Sequence, residues 1–205
     1  MRYKQFFTCV AMFVMLCCIV GCKSEDVPKK PAKSNPSMIP ATLTGGKTKL
    51  LIDLPFEVKN PPVDEVGGIP SELEGIMLKA QRYQAGNAKI FMNASFSTFK
   101  EGLFDNLSEQ EIYDALNEEL QDNINTLNNN GQFSNLQISQ SRTKIDNNFA
   151  IIALATYNYQ NKNCKSTMVY TLHGQDFWRL IFDYMEADKE SGRMVDRSVK
   201  SIKFK

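Results

Sequence analysis

The chain has 205 residues, with 24 Lys and Arg against 23 Asp and Glu, a formal net charge of +1, one His and five Cys. That balance leaves no electrostatic footprint for nucleic acid, which needs a clustered basic face. With a single His, a zinc site would have to be completed by sulfur or carboxylate ligands.

The first residues form three zones. Residues 1–5 carry Arg2 and Lys4 and no acid, and residues 6–20 are apolar apart from Thr8. Then Ile19-Val20-Gly21-Cys22 gives way at once to Lys23, Glu25 and Asp26. A positive start, a short apolar core and a small residue before the cut describe a secretory signal. The apolar run is shorter than the roughly 20 residues that span a bilayer. Two aliphatic residues and a glycine before a cysteine resemble the lipobox of bacterial lipoproteins. The resemblance implies cleavage after residue 21 and a diacylglycerol thioether on Cys22. Two or three acyl chains anchor stably where one does not. The competing readings are an uncleaved short anchor and a plain secreted protein. Lys23, rather than an aspartate, after the cysteine favours the outer membrane.

Loss of residues 1–21 removes Arg2, Lys4, Cys9, Cys17 and Cys18, leaving 22 basic and 23 acidic side chains. With Cys22 lipidated, only Cys164 remains. No intramolecular disulfide can form, and the core alone must hold the domain. Residues 22–46 contain Pro28, Pro31, Pro36 and Pro40 with Lys and Ser, a composition that cannot pack a core. They are expected to be a tether, spanning roughly 25–30 Å if flexible, ahead of a single domain at 47–205.

Within that domain, residues 49–54 read as a strand stopped by Pro55, and residues 60–70 as a loop rich in Pro and Gly. Residues 74–84 alternate, with Ile76, Leu78 and Ala80 on one face. Ala85-Gly86-Asn87 is expected to turn the chain into a second strand at 89–99. Ser108 and Glu111 have capping-box spacing, and Leu107 and Ile112 that of a hydrophobic staple. Ile112, Leu116, Leu120, Ile124 and Leu127 then form an apolar stripe at helical spacing, closed by Gly131 as a left-handed cap. Four strands are expected at 135–144, 149–159, 165–173 and 177–185. The first is polar on one face, hence an edge. The second is apolar on both faces, hence covered on both. Turns at 146–148, 161–163 and 174–175 make the neighbours antiparallel. A last helix over 189–201 offers Met194, Val195, Val199 and Ile202 to the core, although Gly192 weakens it. The expected class is α+β: an antiparallel sheet of six to seven strands with helices on both faces.

This order resembles the PsbP/Mog-type sandwich and, within it, the DcrB-like bacterial lipoproteins. The residues that carry the likeness are Leu54-Pro55-Phe56, Tyr170-Thr171-Leu172, Phe177-Trp178-Arg179-Leu180-Ile181-Phe182 and Ser198-Val199-Lys200-Ser201-Ile202-Lys203-Phe204. The resemblance implies binding or assembly of other proteins. It brings no catalytic motif and no specific partner.

Chemistry-bearing residues are few. His173 is expected at a strand end on the surface, on the face of Thr167 and Thr171. Cys164 shares a face with Ser166, Met168, Tyr170 and Leu172 and is expected to be a buried thiol. The reactive alternative rests on Lys162 and Lys165 nearby. Glu111, Asp114, Glu118 and Asp122 suit the solvated face of the helix, with paired-carboxylate acid–base work as the alternative. Phe96, Phe99, Leu103 and Phe104 cluster before the helix. Core packing is the first expectation for them, and an exposed contact patch at Phe99 and Phe104 the second.

No cofactor, metal or catalytic site is expected from any motif. The expected protein is a non-enzymatic envelope lipoprotein, held to the membrane through Cys22, that binds or supports an unidentified envelope protein. A carrier of a small apolar or lipidic ligand, which requires a sizeable closed pocket, and an envelope enzyme, which requires a cleft of convergent titratable groups, are the alternatives.

Overall fold

The computed structural model describes residues 37–64, 69 and 71–205; the leader at 1–21 and Cys22 lie outside them. Strands β1 (Ile39–Thr44) and β2 (Lys49–Leu54) form a hairpin. A short β3 (Val63–Asp64) and a single 3-10 turn (Ser71–Leu73) lead to the long hairpin β4 (Met77–Gly86) and β5 (Ile90–Phe99). Helix α1 (Glu109–Asn129) follows, and then the meander β6 (Phe133–Ile145), β7 (Asn148–Tyr159), β8 (Lys162–His173) and β9 (Asp176–Met185). Helix α2 (Lys189–Ser201) and β10 (Lys203–Phe204) complete the chain.

The class is the expected α+β sandwich. Seven antiparallel strands lie in the order β3-β4-β5-β9-β8-β7-β6. Helix α1 covers one face, packing on β6, β7 and β8. The other face carries α2 together with a separate three-stranded sheet, β1-β2-β10. That small sheet was not legible from composition. Ile39–Thr44 falls inside the expected tether, whose upper boundary is therefore corrected from residue 46 to the start of β1. Leu43 alone of that strand is fully buried, too few apolar residues to signal a strand. Pairing supplies the rest, with β2 on one side of the hairpin and Lys49 exchanging backbone hydrogen bonds with Lys205 at the chain's end.

The two faces have separate cores, as the two-faced apolar pattern of β7 requires. Ala150 and Ile152 point toward Trp178, Leu180, Phe182, Val195 and Leu50. Ile151, Ala153 and Ala155 point toward Leu116, Leu120, Met168 and Tyr170. Alternation puts Trp178, Leu180, Phe182 and Tyr184 of β9 on one side and Phe177, Arg179, Ile181 and Asp183 on the other.

Local chemistry sets the ends of the elements. The Ser108–Glu111 capping box is formed in both directions, satisfying amides that a helix start otherwise leaves open. At the other end, Gly131 is not the left-handed cap expected. The helix stops at Asn130, whose amide donates to Thr126 and Leu127 carbonyls. Alternation through residues 74–84 is also broken: a bulge between Met77 and Lys79 turns Leu78 outward, 49% exposed, while Met77 stays buried. The β4–β5 turn lies later than expected. Gly86 is still paired, and Asn87 closes the turn by accepting from the amides of Lys89 and Ile90. Tight turns with positive φ join β6 to β7 at Asp146 and Asn147 and β7 to β8 at Gln160 and Asn161. This is the twist that two-residue hairpins favour. Among the described residues no helix is long and apolar enough to cross a membrane.

Candidate functional site

The residues singled out in the sequence do not converge. Phe99 is completely buried, and Phe104 packs half-buried against it edge to face at 5.3 Å. The contact-patch expectation is corrected accordingly, since Phe99 forms part of the core under α1 with Leu73, Met77 and Phe177. Its position at the end of β5 is the reason. The strand runs on under the 3-10 turn, so its last side chain is roofed.

Cys164 is a buried thiol in the same core, its Sγ within 3.7 Å of the Lys162 carbonyl. His173 lies on the opposite face with Thr167 and Thr171, as alternation predicts, but it is not a bare surface group. Its ring stacks on Phe204 at 4.8 Å, and Nδ1 pairs with Asn148 Oδ1 at 2.8 Å.

On α1, Glu111 and Asp114 are exposed and Glu118 and Asp122 half-buried. Glu111 is held below the usual carboxylate range by its hydrogen bonds to Ser108. Partial burial pushes Asp122 up.

The buried carboxylate of α1 is Glu119, which stripe spacing did not single out. It is 2% exposed. Burial is the largest influence on it and pushes its pKa up to about 7, with Asp122 and Glu118 adding to the effect and the Arg179 guanidinium opposing it. Arg179 on β9 is 3% exposed and points to the same side. It sits in a cross-strand row with Ser95 on β5 and Arg82 on β4, both buried. Among the described residues, Glu119 Oε1 and the Oδ1 of buried Asn93 find no hydrogen-bond partner. The signal available in sequence is a pair of charged residues four apart, Arg179 and Asp183, on one face of the otherwise apolar residues 177–185, opposite a helix in which Glu119 lies beside the apolar Leu116 and Leu120.

Further along the same face, Asp183 accepts hydrogen bonds from Tyr157 Oη at 3.0 Å and from Ser166 Oγ. Burial pushes the pKa of both Asp183 and Tyr157 up. Ser166 is 2% exposed and donates to a carboxylate. The one imidazole, His173, stands seven residues away on β8, about 23 Å along the strand and on its other face. The cluster therefore has no histidine base within reach of its hydroxyl. What it does is hold β7, β8 and β9 together under the helix. Among the described residues no group of three or more His, Cys, Asp and Glu could hold a metal ion.

Where α1 meets the edge strand β6, an open groove of about 320 Å³ is lined by Gln121, Ile124 and Asn128 of the helix and Leu136, Ile138 and Gln140 of the strand. Asn117 and Gln140 close one end through a hydrogen bond of 3.0 Å. Beyond it Arg142 reaches Gln110 at 3.0 Å and Asp114 at 3.7 Å. Three carboxamides and three aliphatic side chains make this a surface for a ligand that is both apolar and rich in hydrogen-bonding groups.

No family model matches the chain, and no curated protein matches it. Solved structures are similar to it at low identity. The solution structure of cyanobacterial PsbP (CyanoP) from Synechocystis sp. PCC 6803 is 9% identical with a TM-score of 0.49, covering 86% of this chain and 98% of its own. LpqN, involved in cell envelope biogenesis of Mycobacterium tuberculosis, is 15% identical with a TM-score of 0.40, covering 82% and 91%. The protein of unknown function PA94 from Pseudomonas aeruginosa is 7% identical with a TM-score of 0.41, covering 79% and 94%. These are likenesses in the course of the chain, and fold does not carry function with it.

Proposed function

We propose that this protein is a non-enzymatic lipoprotein of the bacterial envelope, anchored by acyl chains on Cys22, whose sandwich domain binds or supports another envelope protein. The observation that carries the reading is the sequence Ile19-Val20-Gly21-Cys22 at the end of a short apolar run, flanked by charge on both sides. About 16 residues separate that cysteine from β1.

The groove beside β6 supports protein binding over carriage of a lipid, because it is open and half of its lining is carboxamide. The test is fractionation of intact cells carrying the wild-type chain or Cys22→Ala, with mass spectrometry of the mature N-terminus. Wild type is expected in the membrane fraction with an acylated Cys22, and the variant in the soluble fraction. A variant that stays on the membrane, or a bare cysteine with residues 1–21 still attached, overturns the anchor.

A further inference from the structure

The two edges of the large sheet are unlike. One closes with β3, two residues long, while the other is β6, thirteen residues long. A bulge between Ser134 and Gln137, with Asn135 at φ 55°, bends the start of β6. From Gln137 to Ile145 its pairing with β7 runs without a break. An exposed edge offers a row of backbone amides and carbonyls to another strand, and from residue 137 to 145 it has no proline or bulge to refuse one.

The side chains along this edge are sorted. Leu136, Ile138, Gln140, Arg142 and Lys144 stand on the α1 side in that order, the first three in the groove. Ser139, Ser141 and Thr143 stand on the other side. The strand has no acid. Lys144 rests its ammonium on the Phe149 ring, 4.5 Å from the centroid.

We propose that β6 receives an extended segment of the partner protein as an added strand, its alternate side chains lying in the groove between α1 and β6. Strand addition obtains affinity from backbone hydrogen bonds and specificity from every second side chain. The order of groups on β6 describes the occupant: aliphatic residues at alternate positions against Ile124, Leu136 and Ile138, small polar residues between them, and an acid where the segment passes Lys144. Gln121, Asn128 and Gln140 can both donate to and accept from the peptide groups. The proposal rests on the reading that the partner is a protein, and it names the surface and the segment.

A photo-cross-linking residue placed at exposed Ser139 or Ser141 in the full chain, in intact cells, tests it, with Arg197 and Lys47 on the far side as control positions. The expected result is adducts from the two β6 positions to one short segment of one protein, two residues apart, and none from the controls. Gln121→Trp, which fills the groove from an exposed helix position, is expected to cut their yield at least fivefold with thermal unfolding unchanged. Adducts from the controls alone sink this proposal and leave the protein-binding reading standing. Adducts from no position sink that reading itself. A β6 adduct to a second copy or to a glycan, or one indifferent to Gln121→Trp, overturns strand addition by a partner.

Discussion

Glu119 on α1 and Arg179 on β9 are buried on the same side of the sheet, 2% and 3% exposed, and the arginine's charge acts on the carboxyl without cancelling what burial does to it. Helix α1 thus carries, on the side facing the sheet, a carboxyl whose charge changes near neutrality.

Stability is therefore expected to depend on pH between about 4.5 and about 7. The folded state raises the pKa of Glu119 above its ordinary value of 4.5 to about 7, so it binds the proton more tightly than the unfolded chain. The resulting stabilisation is complete below about 4.5 and is lost as pH rises through about 7, amounting to about 3 kcal/mol at about 1.4 kcal/mol per unit. Asp183, also raised, acts in the same sense. Denaturant unfolding at several pH values should show wild type weakening across this window and Glu119→Gln weakening much less. Parallel pH curves for the two chains would contradict the assignment.

Asp176 ties the β1–β2 turn to the large sheet. Completely buried, it accepts from the Lys47 amide at 2.9 Å, the Thr48 amide and hydroxyl at 2.7 Å each, and the Thr98 hydroxyl at 2.5 Å. Asp176→Ala strands these donors and is expected to cost about 3 kcal/mol or more. Gly46→Ala should weaken the same junction, since an added Cβ falls 2.0 Å from Thr98 Oγ1. Calorimetric melting of both variants measures the effect; a shift under a degree for Asp176→Ala would contradict the role.

Phe99 and Phe104 separate core from surface. Removing a fully buried phenylalanine costs about 3–5 kcal/mol, so Phe99→Ala should approach the limit of what a domain of this size tolerates. Phe104→Ala, half-buried, should cost clearly less. Equal, small losses in equilibrium unfolding would restore the surface-patch picture.

Gly192 lies inside α2, and an added Cβ meets Tyr184 at 3.5 Å, an ordinary contact. Glycine costs a helix interior about 0.8–1 kcal/mol relative to alanine. Gly192→Ala should therefore raise stability by about that much, read as a higher denaturant midpoint with an unchanged slope. A lower midpoint would mean that Tyr184 cannot give way.

Elements whose signal is local were legible in the sequence: the capped helix α1, the meander with its two-faced β7, and the terminal helix despite Gly192. Periodicity, capping chemistry and turn residues act over a few positions, so they are written in consecutive residues. Ile39–Thr44 leaves the expected tether for a second sheet through pairing alone, because a strand with one fully buried residue exists through its partner. The same holds for the burial of Phe99, the outward turn of Leu78 at a bulge, and the burial of Glu119 and Arg179 on one side of the sheet. Each depends on what packs against a residue from sixty or more positions away or from the neighbouring strand, and burial of that kind leaves no mark on adjacent letters of the chain.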